Sequence, residues 1–253
     1  MSRWKVAGIY LAISAAIAGA VLGAMLAAWY PQPFFEAAGG GHLLFILVGV
    51  DVVMGPVITL IIFDLGKKPL AALKFDLVVV ATLQLAALLY GVYVVFQARP
   101  VYVVFVKDRF NLVTAAQIDP DELAKVTRPE FRDLPLTGPR VVGAQPPTNP
   151  DERERVLFIS VLGGTDLQSF PQYYVSYEQV ATEAAATGLT IEKARELEPQ
   201  GADAIAGYLA RTGRSEADVR YLPLQARRTW LAAVVDAKSG AVLVFLAVKS
   251  RSP

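Results

Sequence analysis

At 253 residues, with a formal net charge of +1, no cysteine and one histidine, the chain excludes several classes of function. Disulfide frameworks and thiolate metal sites are ruled out, and the charge gives no basic footprint for nucleic acid. The hydrophobic share is 54%, the charged share 19% and the mean hydropathy +0.42, whereas an ordinary globular domain carries about 25% charged residues. The excess is uneven, because only nine Lys, Arg, Asp or Glu residues precede Arg99. Two parts are therefore expected: a three-helix transmembrane domain over 1–97 and a soluble α+β domain over 98–253.

The first span runs over about 6–30. Val6 to Tyr30 contains no charge and exceeds the length needed to cross a hydrocarbon core of about 30 Å. It is also longer than the apolar region of a cleaved signal peptide. Trp4, Trp29 and Tyr30 suit the two interfaces. Further spans are expected over 43–63 and 75–96. Arg3, Lys5, Lys67, Lys68 and Lys74 flank what the positive-inside rule makes the cytoplasmic side. The N-terminus is then cytoplasmic, and the domain after Arg99 lies outside, in the periplasm of a Gram-negative cell.

Asp51 falls about 12 Å below the outer end of the second span, where an aspartate costs about 2.5–3.5 kcal/mol and needs a partner or a proton. Gln84 sits at a similar depth in the third span. Pro56 takes the helical donor from the Val52 carbonyl and kinks the segment. Three readings stay open for Asp51: a docking point for another helix, an ion path, or a structural bond to Gln84. Gly19 and Gly23, extended by Ala15, form a small-residue stripe that admits a close helix neighbour. His42 reads as a solvated loop residue, and no metal or cofactor is expected.

In the soluble half, 100–106 and 110–113 read as a hairpin turning at Lys107-Asp108-Arg109. Asp119 or Asp121 caps a short helix, and the six prolines between Arg128 and Pro150 mark a long loop. Arg155–Leu162 reads as a strand. Helices are expected over 177–187, 190–197 and 202–212, then strands over 219–224, 230–235 and 241–248. Pro223 should confine the first of these strands to an edge, and Asp236–Gly240 should turn the last hairpin. The expected architecture is an antiparallel sheet with helices on one face. Without His or Cys in this half, Ser–His and Cys–His catalysis have no parts, and an enzyme is not expected. Phe170, Tyr173 and Tyr174 gather around Pro171, either as an interface anchor or as core.

The ordered set Trp29-Tyr30-Pro31, Gly49-Val-Asp51-Val-Val-Met-Gly55-Pro56, Lys67-Lys68, Lys74-Phe-Asp76-Leu, Gln84-Leu-Ala-Ala-Leu and Arg99-Pro100-Val101 resembles the TfpX/TfpZ family of type IV pilin accessory proteins. The resemblance is dense in the membrane half and loose in the soluble half. It implies a bacterial inner-membrane protein that assists pilin stability, assembly or pilus dynamics, with the major pilin as partner beside the lipid bilayer. From another class, the same layout fits a membrane-anchored periplasmic ligand sensor or transport subunit.

Overall fold

The computed structural model describes residues 3–41, 70–163, 166–227 and 229–248. The chain divides into two compact units: Met1–Ala28 with Gly39–Gln97, and Trp29–Ala38 with Ala98–Pro253.

In the first unit, α1 (Arg3–Trp29) and α3 (Leu70–Gln97) contain apolar windows of 19 and 20 residues, Leu11–Trp29 and Val78–Gln97, long enough to cross a membrane. Only 11% of each window is buried, whereas a helix at the core of a soluble protein is covered all round. Leu83, Leu89 and Tyr90 are exposed, as side chains facing acyl chains would be. The expected span over 43–63 lies outside the described residues, among which two such helices occur.

The second unit is built on a seven-stranded sheet in the order β4-β3-β1-β2-β5-β6-β7. The strands are β1 (Pro100–Val106), β2 (Arg109–Thr114), β3 (Arg140–Ala144), β4 (Tyr174–Ser176), β5 (Val219–Gln225), β6 (Trp230–Asp236) and β7 (Val242–Ala247). The hairpins β1–β2, β5–β6 and β6–β7 are antiparallel as expected. The sheet as a whole is mixed, which corrects the antiparallel expectation: β1 runs parallel to β3, and β2 to β5. The pairing of β1 with β3 depends on a five-residue strand inside the proline-rich stretch. Between Pro139 and Pro146 the run Arg140–Ala144 is free of proline and so can donate to a ladder.

The sheet curls. In a flat sheet β2 and β7, three places apart, would be separated by about 14 Å, yet Phe110 of β2 and Phe245 of β7 meet edge to face at 5.8 Å. The face so enclosed carries Val103, Phe105, Phe110, Leu222, Leu224 and Leu231, all nearly inaccessible. It is completed by Tyr177 beside Phe110 and by α2 (Phe34–Ala37), whose Phe34 ring lies 5.4 Å from Phe245. The segment Trp29–Ala38 thus belongs to the sheet unit although it leads out of α1. Tyr30, Phe34, Ala37 and Ala38 are all buried. At the β6–β7 turn Gly240 takes φ +71° with its backbone against the Ala181 carbonyl, and its own carbonyl accepts the Tyr177 hydroxyl at 2.6 Å. A Cβ at Gly240 would stand 1.7 Å from that Ala181 oxygen.

The opposite face holds two further cores. One gathers Tyr102, Val104, Val142, Phe131, Phe170 and Tyr174 under α5 (Pro150–Gly163) and α4 (Pro120–Leu123). The other packs α7 (Ile191–Leu197) and α8 (Pro199–Thr212) on Val219, Tyr221, Ala232 and Val234. α6 (Ala181–Thr187) lies on the enclosed face, so helices cover both faces rather than one.

Two local expectations are corrected. Arg155–Leu162 is helical, within α5. Asn149 Oδ1 accepts the Asp151 N–H at 3.0 Å, Pro150 occupies the first turn, and Asp151 and Glu152 follow where the helix dipole favours acids. These start signals outweigh the β-branched run behind them. Pro223 sits in an internal strand, between β2 and β6. Its nitrogen points to the same flank as the Tyr221 N–H, which bonds Leu189, and β2 pairs β5 only from Leu224 onward. No ladder donor is lost there. In the short helix α4, by contrast, Asp119 accepts the Asp121 N–H as expected.

Replacing Phe34 with Ala should destabilise the sheet unit by about 3 kcal/mol or more, read as a lower melting temperature of the full-length protein in detergent. Phe158→Ala on the exposed side of α5 should leave that temperature nearly unchanged.

Candidate functional site

In the first unit α1 and α3 enclose a small apolar cleft of about 210 Å³, lined by Ile13, Ser14, Ile17 and Ala18 on one side and Ala81, Gln84, Leu85 and Leu88 on the other. Gln84 is half-buried and lines the same cleft as Ser14. Gly19 and Gly23 lie elsewhere. At 100° per residue, the cleft residues of α1 and the stripe Ala15, Gly19, Gly23 centre about 180° apart. Both glycines are exposed, and a Cβ at either would meet nothing within 4 Å. Asp51 and Pro56 lie outside the described residues, so of the expected intramembrane set the structure describes Gly19, Gly23 and Gln84.

In the second unit the aromatic group expected as a contact surface is largely core. Phe170 and Tyr174 are 2% and 0% exposed. The Tyr174 ring packs on Tyr102 at 5.0 Å and Phe131 at 5.9 Å, and its hydroxyl donates to the Gln168 carbonyl. Burial holds that hydroxyl well above its ordinary pKa. Tyr173 alone remains half-exposed. The signal for core was present in the sequence, since each aromatic side chain of such a cluster buries a large apolar area when it packs.

Beside this group stands a charged cluster that sequence reasoning missed. Glu122 accepts Lys125 at 2.7 Å, Arg155 at 3.0 and 3.3 Å, and the Gln172 amide at 2.5 Å. It thereby ties α4 to α5 and to the turn before β4. Burial pushes the Glu122 carboxyl up, but the bonds from Arg155, Lys125 and Gln172 together outweigh that and leave it at about 2. Arg155 also lies over the Phe170 ring, 5.8 Å from its centre. No group of three or more metal-ligating side chains occurs among the described residues.

A concavity of the second unit was equally unforeseen. It is a half-open groove of about 970 Å³ between α5, the β1–β2 turn and the end of β5. Its lining includes Val156, Leu157, the buried Asn111 and the exposed Gln225. On the outer side of α5, Leu157, Phe158 and Val161 are 60%, 65% and 80% exposed. Isolated exposed apolar residues are ordinary, but three on one helix face make a patch.

A pair of apolar helices of membrane-crossing length, joined in one chain to a curled mixed sheet, sets the class within which relatives are to be found. The chain is 32% identical over 173 residues to the serogroup I fimbrial assembly protein of Dichelobacter nodosus, covering 68% of this chain and 66% of that one. To the serogroup E1 protein of the same organism it is 31% identical, with the same coverage. To the fimbrial assembly protein of serogroups C1 and C2 it is 34% identical over 119 residues, covering 47% of this chain and 90% of the relative. The chain belongs to this family of fimbrial assembly proteins. It spans about two thirds of the length of the first two relatives. A matched stretch of 173 residues in a chain of 253 includes residues 81–173 wherever it begins, so the likeness reaches into the sheet unit. No family model and no solved structure matches the chain.

Because the folded Glu122 carboxyl titrates at about 2 against an ordinary 4.5, its contribution is complete above pH 4.5 and lost as pH falls through 2. Glu122→Gln should therefore lower stability by on the order of 2 kcal/mol at neutral pH, and the gap to the natural protein should close toward pH 2. Chemical denaturation across that range measures both.

Proposed function

We propose that the chain is a non-enzymatic inner-membrane accessory protein of type IV pili, of the TfpX/TfpZ kind, which holds the major pilin during pilus assembly. The N-terminus is cytoplasmic and the sheet unit periplasmic in this reading, which follows from Arg3, Lys5, Lys67, Lys68 and Lys74 flanking one side of the spans. Membership of the fimbrial assembly family supports the process.

One observation carries the step to direct binding. α1 meets α3 through Ile13, Ile17 and Ala18 while its Ala15–Gly19–Gly23 stripe points the other way, where a Cβ at either glycine meets no atom of the described residues within 4 Å. Between helices in lipid there is no hydrophobic drive, and close approach at small residues supplies the association. A stripe left unused within the described helices suits an incoming apolar helix. Asp51 adds a polar group at depth, and its cost is met when a partner helix or Gln84 satisfies it.

A photocrosslinker placed at Gly19 in cells should capture the pilin. Ala15→Leu should reduce that capture about tenfold without lowering the protein's level, since a bulky side chain forfeits the close approach. Absence of pilin at Gly19, at normal expression, sinks the direct contact and favours the ligand-sensing alternative.

A further inference from the structure

The two edges of the seven-stranded sheet differ. One is β4, three residues long and ending on the exposed Ser176. The other is β7, whose six residues are all apolar, within a run from Ala241 to Val248 that holds no charge and no proline. A sheet edge presents a row of unpaired N–H and C=O groups, and folds ordinarily blunt it with shortness, charge or proline. β4 is blunted by its length, and β7 by none of these.

The ladders fix which backbone groups of β7 face outward. Tyr221 on β5 exchanges both of its backbone bonds with Leu189, at 2.8 Å each. Its partner across the β5–β6 ladder is Val234, which therefore turns its own N–H and C=O toward β7, as does Ala232 two residues before it. The turn keeps the same parity, since the Asp236 N–H donates to the Ala241 carbonyl at 2.9 Å. Val234 and Ala232 stand opposite Val244 and Leu246, whose backbone groups are thereby engaged. The N–H and C=O groups of Phe245 and Ala247 point away from the sheet, and no described residue bonds to them there. Side chains follow the same trend. Leu231–Val235 of β6 are buried throughout, whereas Val242–Leu246 of β7 are each partly exposed and Ala247 is exposed.

Outward N–H and C=O groups on alternate residues are complementary to another extended backbone. A strand laid on this one meets apolar neighbours along its whole length, so a charge within it would find no counter-charge. β7 itself meets both conditions. Set antiparallel on its own copy about a two-fold axis at Leu246, Phe245 faces Ala247 of the second copy and exchanges both backbone bonds with it, and symmetry repeats the pair. Leu246 then meets Leu246 of the second copy, and Val244 meets Val248 of the second copy. Every cross-strand pair is apolar, and no like charges oppose each other. Such a contact is isologous and closes at two copies, which leaves the short β4 at each outer edge.

We propose that β7 is an interaction surface for a second copy of this chain, two copies pairing edge to edge into one continuous sheet. The pairing is independent of the pilin reading and stands or falls without it.

The test uses the full-length protein in detergent. Light scattering should give twice the chain mass of 27.3 kDa. The chain holds no cysteine, so Ala247→Cys provides a single thiol, and a short bismaleimide should link two copies through it. The same reagent should not link Leu197→Cys, at an exposed position away from the edge. Ala247→Pro removes an outward N–H and no bond to β6, and should raise the dissociation constant of the pair about tenfold or more. Ala247→Lys, a charge on the same edge, should act likewise and decides the matter if the proline variant fails to accumulate. A single-chain mass for the natural protein overturns the proposal. A double mass that persists in both variants, or that comes without linkage at Ala247→Cys, overturns β7 as the contact. A photocrosslinker at Ala247 in cells that captures another protein and not this chain overturns the second copy as the occupant.

Discussion

The edge-to-face contact between Phe110 on β2 and Phe245 on β7 exists because the sheet curls through three strand steps, and that curl sets what the rest of the unit must supply. A curled sheet encloses one face, and the enclosed space needs filling from outside the strands. Tyr177, Val180 and Ala181 enter from one direction, and Phe34 enters from the segment that follows α1. Filling is tight enough to restrict backbone choice. Gly143 passes so close to Val180, and Gly240 to Ala181, that a Cβ at either would collide. Ten residues distant in sequence from the sheet are therefore a structural part of it, and the chain leaves α1 already committed to the core of the sheet unit.

The same curl makes the opposite face impossible to cover with one layer. Helices α7 and α8 reach Val219 and Tyr221 at the start of β5, while α5 covers β1 and β3 around Tyr102, Val104 and Val142. The end of β5, at Gln225, belongs to neither cover. There the groove opens, with Asn111 from β2 in its lining. Its position thus follows from the curvature. The network around Glu122 fixes α4, α5 and the turn before β4 together, so one wall of the groove is held by charge-assisted bonds as well as by packing.

Much of this was legible in the sequence, and the failures have identifiable causes. Both terminal hairpins were readable because β-branched runs flanked short polar turns; Gly240 marked the positive φ of the last turn, whereas the first places Lys107 at φ +56°. The cap at Asp119 was readable for the same local reason. What failed was long-range. The parallel pairing of β1 with β3 joins residues some forty positions apart through proline-rich chain, and no local pattern specifies it. The run Val156–Val161 favoured a strand by composition, whereas the deciding information lay upstream at Asn149, Pro150 and Asp151. The groove was invisible for a related reason: Asn111 reads as an ordinary strand residue until Val104 is known to lie opposite it. Of the membrane residues, the chemistry of Gly19, Gly23 and Gln84 could be read, but not that the glycines and the glutamine serve different sides of the helix pair.

That separation bears on how α1 would accommodate the external partner proposed for it beside its internal one. In lipid, apolar side chains gain little from leaving acyl chains for one another, so a helix pair is held by fit and by polar groups that lipid cannot satisfy. α1 meets α3 with branched residues, and Ser14 and Gln84 line the same cleft. Gln84 is expensive to expose to hydrocarbon, which favours keeping that face turned inward whatever else binds. The stripe on the far side carries no such polar group, only Ala15, Gly19 and Gly23, and offers shape without a bonding requirement. A face of this kind can be occupied and vacated at little cost, because neither state leaves a polar group unsatisfied. That is the property that the proposed pilin-holding role requires of this face.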